Sequence, residues 1–220
     1  MSATNQTLPL IDRLYSGFLE EVHSATFIQQ ISQNYSPGTL EQITATGSRI
    51  SRRAAVLALG FVGNYSSNEV LGKALHDPDR AVRVLAENSI RSIWRRAAGE
   101  RLRRELSIVS RSIVWEQYNE AVARVDEIIV HAPTFAEAWN QRGIAHYGIG
   151  HFDLSICDCQ QALELNPFHF GAAAGIGICY LEEGDLEAAL ESFRQALDVN
   201  PGLEGVSAQV DHLQRTLGHS

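Results

Sequence analysis

The chain has 220 residues, of which 45% are hydrophobic and 20% charged, and it contains six prolines and three cysteines. This composition is typical of a folded protein and excludes the long disordered, collagen-like and disulfide-scaffold classes. The formal net charge of −8, if it were evenly spread, would disfavour nucleic acid and anionic membranes as partners.

The sequence gives no sign of a membrane span or a secretory signal. Its longest apolar run, residues 54–63, is well short of the roughly 18 residues that a span needs. Residues 1–9 lack the basic start and the apolar stretch of a signal peptide. An odd number of thiols without a Cys-x-x-Cys pair is typical of a reducing compartment. We therefore expect a cytoplasmic protein with no membrane partner.

Residues 1–38 are predicted to form a helical hairpin. Leu10, Leu14 and Phe18 recur every four residues, which places them on one face of a first helix. A second apolar stripe follows, and the sequence Tyr-Ser-Pro-Gly at residues 35–38 ends it.

A period of about 31 residues organises residues 39–98. A shift by this length lays Arg52 on Arg83, and the better copy has Asp-Pro-Asp at residues 77–79 between two helical stripes. Aspartate and proline both favour the first turn of a helix. The pattern Asp-Pro-Asp-x-x-Val-Arg-x-x-Ala resembles the HEAT-type repeat, which implies stacked helical hairpins.

A second period, of about 34 residues, organises residues 99–202. It lays Gln-Ala-Leu-Glu-Leu-Asn-Pro at residues 161–167 on Gln-Ala-Leu-Asp-Val-Asn-Pro at residues 195–201. Each copy is predicted to be a helical hairpin, with Gly150 or Gly184 at the turn and Asn-Pro closing the second helix.

Two glycines, Gly143 and Gly177, fall in the middle of predicted helices. A glycine there costs about 1 kcal/mol relative to alanine, so we expect a neighbouring helix to approach closely. The repeat resembles the tetratricopeptide repeat, and the residues that carry the resemblance are Trp139, Gly143, Tyr147, Phe152, Ala162 and Pro167, then Gly177, Tyr180, Ala189, Phe193, Ala196 and Pro201. A weaker upstream copy has Val109 in place of the glycine, which gives about three repeats.

Residues 203–220 are predicted to form one helix, because Val206, Val210, Leu213 and Leu217 fall on one face. Such a helix would cover the exposed end of a stack of repeats. The chain is therefore predicted to be all-α: a right-handed α-solenoid of helical hairpins, HEAT-like and then tetratricopeptide, with a C-terminal capping helix.

The sequence contains no set of residues typical of catalysis or metal binding. Cys157 and Cys159 point about 200° apart on a helix and cannot share a metal ion, so packing is the expected role of Cys159 and Cys179. No pair among the eight histidines has the spacing of a known site. We predict no catalytic residue, no metal, no cofactor and no enzymatic activity. The HEAT-like resemblance leaves one enzyme class open, since some such families resemble chromophore-lyase subunits.

The tetratricopeptide resemblance implies that the first helix of each hairpin lines a concave surface that binds peptides or protein segments. The amides of Asn140 and Gln141 are suited to pairing with an extended peptide backbone. The predicted lining residues are Arg103, Ser107, Ser110, Glu137, Asn140, Gln141, Ile144, Tyr147, Ile178 and Leu181. We therefore predict a protein-interaction adaptor or scaffold for an unidentified protein or peptide.

Some proteins with such repeats grip the acidic tail of a chaperone with basic and asparagine residues. The corresponding positions here carry no cation, so that mode is not expected; they are Leu106, Ser110, Gln141, Gly171 and Gly175. The small residues around Ala174 instead indicate a trough for an apolar side chain or a partner helix.

The charge is unevenly distributed and supports an alternative function. Residues 1–106 contain 13 basic and 10 acidic residues, net +3, whereas residues 107–220 contain 5 and 16, net −11. Arginine binds carboxylate and phosphate alike, so nucleic acid or another polyanion could bind at Arg49, Arg52, Arg83 and Arg91. We favour the other interpretation, in which these arginines pair with Glu69, Asp77, Asp79 and Glu87.

Overall fold

A computed structural model describes residues 8–21 and 23–218, and in these residues it contains thirteen α-helices and no strand. The predicted all-α fold is confirmed. The helices are α1 (Leu10–Glu21), α2 (Ser24–Asn34), α3 (Pro37–Thr46), α4 (Arg49–Val62), α5 (Asn68–Ala74), α6 (Arg80–Arg96), α7 (Gly99–Val114), α8 (Tyr118–His131), α9 (Ala136–Ile149), α10 (Phe152–Leu165), α11 (Phe170–Glu183), α12 (Leu186–Val199) and α13 (Glu204–Leu217), with a 3₁₀ helix at Tyr65–Ser67.

The chain packs as two compact units, Met1–Ile93 and Trp94–Ser220. The predicted segments at residues 1–38, 39–98, 99–202 and 203–220 are finer divisions and stay predictions. In the part of the chain that the structure describes, no helix is both long and apolar enough to cross a membrane.

In the first unit, α1 packs against α2 and α4, and α3 packs against α4 and α5. Its core is mainly apolar, and Ile31, Leu40, Leu59, Leu71 and Ile90 are fully buried in it. Three aromatic rings, Phe18, Phe27 and Phe61, meet at centroid distances of 5.1–6.4 Å. The predicted break after α2 is present, and the Ser36 hydroxyl caps α3 by accepting from the Thr39 amide.

The predicted turn at residues 77–79 lies between α5 and α6. Asp79 Oδ1 accepts from the Val82 amide at 3.1 Å and caps α6. Asp77 Oδ1 in turn accepts from the Asp79 amide at 2.8 Å. Both carboxylates therefore fix the start of α6, as expected from the free amides of a helix N-terminus.

In the second unit, α7–α13 form a stack in which each helix packs against the next one in sequence. Gly150 and Gly184 end α9 and α11 with φ of 86° and 80°, a left-handed conformation that favours glycine. Asn166 and Asn200 end α10 and α12. The helical hairpins predicted from the longer of the two sequence periods are therefore present.

The mid-helix glycines mark close helix contacts, as predicted. A Cβ atom on Gly143 would lie 3.1 Å from the Cys159 sulfur, and one on Gly177 would lie 2.6 Å from the Phe193 ring. At the end of the stack, α13 buries Val210 and Leu213 against α12, where they join the cluster around Phe193.

Candidate functional site

The first helices of the three hairpins, α7, α9 and α11, lie next to one another, since α9 contacts both α7 and α11. Their shared surface is called the inner face below. Nine of the ten predicted lining residues define it: Arg103, Ser107, Ser110, Glu137, Gln141, Ile144, Tyr147, Ile178 and Leu181.

A chain of polar contacts crosses the inner face. Ser110 Oγ on α7 lies 3.3 Å from Gln141 Oε1 on α9. The Gln141 side-chain amide donates to Glu137 Oε1 at 2.9 Å, and Glu137 Oε2 lies 3.2 Å from His169 Nε2 at the start of α11. The chain therefore connects all three first helices through side chains.

His169 has two structural roles, and the sequence interpretation did not find them. Its Nδ1 accepts from the Ala172 amide at 3.1 Å and caps α11, so Nε2 carries the proton and donates to Glu137. Its ring stacks on Trp94 with centroids 4.5 Å apart and an interplanar angle of 14°. The only local signal was a side-chain acceptor directly before the first residue of α11, and histidine is not among the residues typical of that position.

Glu137 is ionised in this network. Burial acts to raise its pKa, but the hydrogen bonds from His169 and the Gln141 amide and the charge of Arg95 outweigh burial and leave the pKa below its ordinary value. The carboxylate therefore serves the internal contacts of the inner face and is not suited to proton transfer to a ligand.

The two amides predicted to bind a peptide backbone differ in their positions. Asn140 is buried, and its Oδ1 is 3.9 Å from where a Cβ on Gly171 would lie. Gln141 is half-buried and already contacts Ser110 and Glu137. Asn140 therefore lies at the contact between α9 and α11, and Gln141 is partly engaged within the chain, by one contact to α7 and one within α9.

The exposed apolar residues of the inner face are Ile144 on α9 and Ile178 on α11. Their relative exposures are 39% and 40%, and they stand one repeat apart. Tyr147 donates to Glu182 Oε1 at 2.9 Å. Leu181 packs against the cluster around Phe193. Ser110 occupies the same repeat position on α7, so the apolar stripe covers two repeats.

The arginines of the first unit are placed against carboxylates. Arg52 makes a two-pronged contact with Asp77 at 2.7 and 2.9 Å, and Arg53 makes the same kind of contact with Asp79 at 2.6 and 2.9 Å. Paired with Arg53, Asp79 has its pKa lowered to about 2, although partial burial opposes the shift.

The other candidate polyanion-binding residues have weaker contacts or contacts to the backbone. Arg49 lies 4.0 Å from Asp79, and Arg83 donates to the backbone carbonyls of Asp77 and Pro78. Arg91 contacts Glu87 at 3.2 Å, one helical turn away. The structure therefore places all four predicted residues next to acceptors of their own chain.

Within residues 8–21 and 23–218, no three His, Cys, Asp or Glu side chains are placed to hold a metal ion. Cys157 is exposed, whereas Cys159 and Cys179 are buried. Burial, with smaller contributions from Cys179 and Asp158, raises the pKa of the Cys159 thiol to about 12. A thiol of this kind packs as an apolar group and is a poor nucleophile at neutral pH.

Comparison with known proteins identifies the repeats. The family model of the tetratricopeptide repeat matches residues 136–169 and 172–202, which are the hairpins α9–α10 and α11–α12. The predicted repeats of this type are thus confirmed, while the HEAT-like region and the first tetratricopeptide hairpin, α7–α8, stay predictions.

Two curated proteins are similar to part of the chain, and the first carries these repeats by name. A TPR repeat-containing protein of Rhizobium etli is 27% identical over 145 residues, which are 66% of this chain and 70% of the relative. The human protein SGT1 homolog is 30% identical over 99 residues, 44% of this chain and 27% of that protein.

Two solved structures are similar to parts or most of the chain. The first TPR of Spaghetti (RPAP3), bound to the HSP90 peptide SRMEEVD, has a TM-score of 0.48 at 18% identity and covers 51% of this chain and 89% of that one. YrrB, a TPR protein with an unusual peptide-binding site, has a TM-score of 0.43 at 16% identity and covers 93% and 99%.

Proposed function

We propose that this chain, which carries tetratricopeptide repeats, is a non-catalytic adaptor whose inner face binds a protein or peptide segment. The exposed pair Ile144 and Ile178 supports the proposal most directly. Two half-exposed isoleucines at the same position of successive repeats offer apolar area that only a partner can bury.

The bound segment is expected to present an apolar side chain to this stripe. Completing the burial of both isoleucines contributes about 1.5–3 kcal/mol to binding, since full burial of one such side chain is worth about that much and each is already half-buried. The polar chain from Ser110 to His169 keeps the three helices in fixed contact, which lowers the ordering cost of binding.

A cytoplasmic location and binding without a cofactor are part of the proposal. The polyanion alternative has less support, because the arginines that would bind phosphate already face carboxylates or carbonyls.

The test is selection of peptide ligands from a displayed random library on the wild-type protein, followed by titration of the selected peptides. The variant Ile144→Asp/Ile178→Asp should weaken binding about tenfold or more. Val130→Asp is the matched control, because Val130 is 79% exposed on α8, outside the inner face. Selected peptides that bind both variants equally well would refute the proposed site.

A further inference from the structure

A second groove lies on the side formed by the second helices of the hairpins, α10 and α12. It has a volume of about 650 Å³, and α11 contributes Ile176 and Tyr180 to its wall. We call it the outer groove, and its remaining lining residues are Gln160, Leu163, Glu164, Ala188, Glu191, Ser192 and Gln195. It shares no residue with the inner face.

The preceding repeat shows how the same position is filled within this chain. There Arg142 on α9 reaches Asp126 on α8 at 2.7 Å and makes a two-pronged contact with Asp158 on α10 at 2.7 and 2.9 Å. Its guanidinium also lies over the Trp139 ring, 4.8 Å from the centroid. Hydrogen bonds from Arg142 to Asp158 and Asp126 raise its pKa, although burial opposes the shift. One arginine therefore ties two second helices together across α9.

One repeat later the arginine and both of its carboxylate partners are absent. The repeat alignment places Ile176 at the position of Arg142, Gln160 at that of Asp126 and Ser192 at that of Asp158. The outer groove occupies this location. The replacement of a long cation by isoleucine leaves room that a side chain of similar length can occupy.

The charge of the outer groove indicates that a positively charged side chain would bind there. Of the described residues that line it, two are acidic, Glu164 on α10 and Glu191 on α12, and none is basic. Both acidic side chains are exposed, and they belong to the half of the chain with a net charge of −11. The wall between them carries Leu163, Ile176 and the Tyr180 ring, which suit the aliphatic stem and planar head of an arginine.

We propose that the outer groove binds a helical segment of a partner protein that inserts an arginine between α10 and α12. The arginine takes the place that Arg142 fills in the preceding repeat, with Glu164 and Glu191 as its carboxylate partners and Tyr180 as its aromatic neighbour. The apolar residues next to it on the partner helix cover Leu163 and Ile176. This site is separate from the inner face and does not depend on the function proposed for that face.

The test uses two synthetic probes, a fluorescent amphipathic helical peptide with leucines and two arginines one helical turn apart, and the same peptide with both arginines replaced by neutral citrulline. The arginine peptide should bind the full chain at least fivefold more tightly, and the difference should shrink as salt rises. Equal affinity of the two peptides, or no binding of the arginine peptide at millimolar concentration, would overturn the proposal.

Variants locate the binding. Glu164→Gln/Glu191→Gln should weaken binding of the arginine peptide about fivefold, whereas Glu127→Gln/Glu183→Gln makes the same charge change outside the groove and should not. An equal loss in both pairs would mean non-specific attraction to an acidic protein and would overturn the proposal. Ile176→Arg supplies the missing cation from within and should abolish binding, with circular dichroism as the check on folding.

Two further outcomes would also overturn the proposal, because they would give the peptide another site or the groove another occupant. Loss of the peptide in Ile144→Asp/Ile178→Asp, with no effect of Glu164→Gln/Glu191→Gln, would place it on the inner face. A concentration-dependent dimer in light scattering that Ile176→Arg abolishes would make a second copy of this chain the occupant.

Discussion

At the scale of single residues, Cys159 shows how a side chain that looks reactive in a sequence is made inert by packing. A Cβ on Gly143 and one on Gly175 would each lie 3.1 Å from its sulfur, so α9 and α11 both press against this part of α10. Cys179, also buried, donates to Ser155 Oγ at 3.3 Å.

We therefore predict that a thiol-specific reagent modifies one cysteine of the native protein at pH 8, and that this is Cys157. All three should react in denaturant, because unfolding removes the burial that keeps the Cys159 pKa near 12. Mass spectrometry of the labelled peptides measures the outcome, and Cys157→Ser should abolish native labelling. Rapid native labelling of Cys159 would contradict the packing described here.

His146 is a half-buried histidine whose Nδ1 is enclosed and has no hydrogen-bond partner among the described residues. Burial lowers the pKa of His146, and the charges of Arg142 and His151 lower it further. The charge of Asp158, whose carboxylate lies 3.8 Å from Nε2, acts in the opposite direction and does not outweigh burial. A folded-state pKa below the unfolded value means that the unfolded chain binds more protons. Stability is then fully present above the unfolded pKa of about 6.5 and declines as the pH falls below it.

The prediction is that His146→Phe reduces the fall in Tm between pH 7 and pH 5.5 relative to the wild type. Thermal unfolding followed by circular dichroism measures it, and His212→Gln, at an exposed position, should leave the fall unchanged. A fall in Tm that is as large in His146→Phe as in the wild type, or larger, would contradict the burial argument.

At the scale of elements, the contact between α11 and α12 depends on the absence of a side chain at Gly177. A methyl group there would lie 2.6–3.0 Å from three atoms of the Phe193 ring, and Phe193, on α12, is itself buried in a cluster with Val210 and Leu213 of α13. The ring has no free direction in which to move, so the overpacking cost is about 1–3 kcal/mol and exceeds the gain of about 1 kcal/mol in helix propensity.

Gly177→Ala is therefore expected to lower the free energy of unfolding by up to about 2 kcal/mol, measured by urea denaturation. Gly205→Ala is the matched control in the same unit, because a Cβ on Gly205 meets nothing within 4 Å. It should leave stability unchanged or raise it slightly. If Gly177→Ala were the more stable of the two variants, the close approach of α11 and α12 could not be the reason for this glycine.

At the scale of the whole molecule, periodicity predicted the backbone far better than it predicted side-chain partners. The spacing of Gly150, Gly184 and the two Asn-Pro pairs located the hairpin ends, because such turns need particular local conformations. The contact between Glu137 and His169 joins residues that are far apart in the sequence, and its geometry depends on how helices are placed in space. No local pattern encodes that placement, so His169 was missed and Asn140 was expected at the surface.

The distribution of charge leads to the last prediction. The first half of the chain is net positive, yet Arg52 and Arg53 each hold a carboxylate through two hydrogen bonds, and the second half carries 16 acidic residues. A polyanion would have to displace those internal partners and approach the acidic half, and both effects weaken binding. Fluorescent single-stranded and duplex DNA should therefore show no binding at about 150 mM salt in anisotropy titrations with micromolar protein.

Asp77→Asn/Asp79→Asn releases the arginines and should raise the affinity at low salt, whereas Asp198→Asn/Glu204→Gln matches the charge change without releasing them. Tight wild-type binding with a steep salt dependence, lost in Arg49→Gln/Arg52→Gln/Arg83→Gln/Arg91→Gln, would instead establish the arginines as a polyanion site.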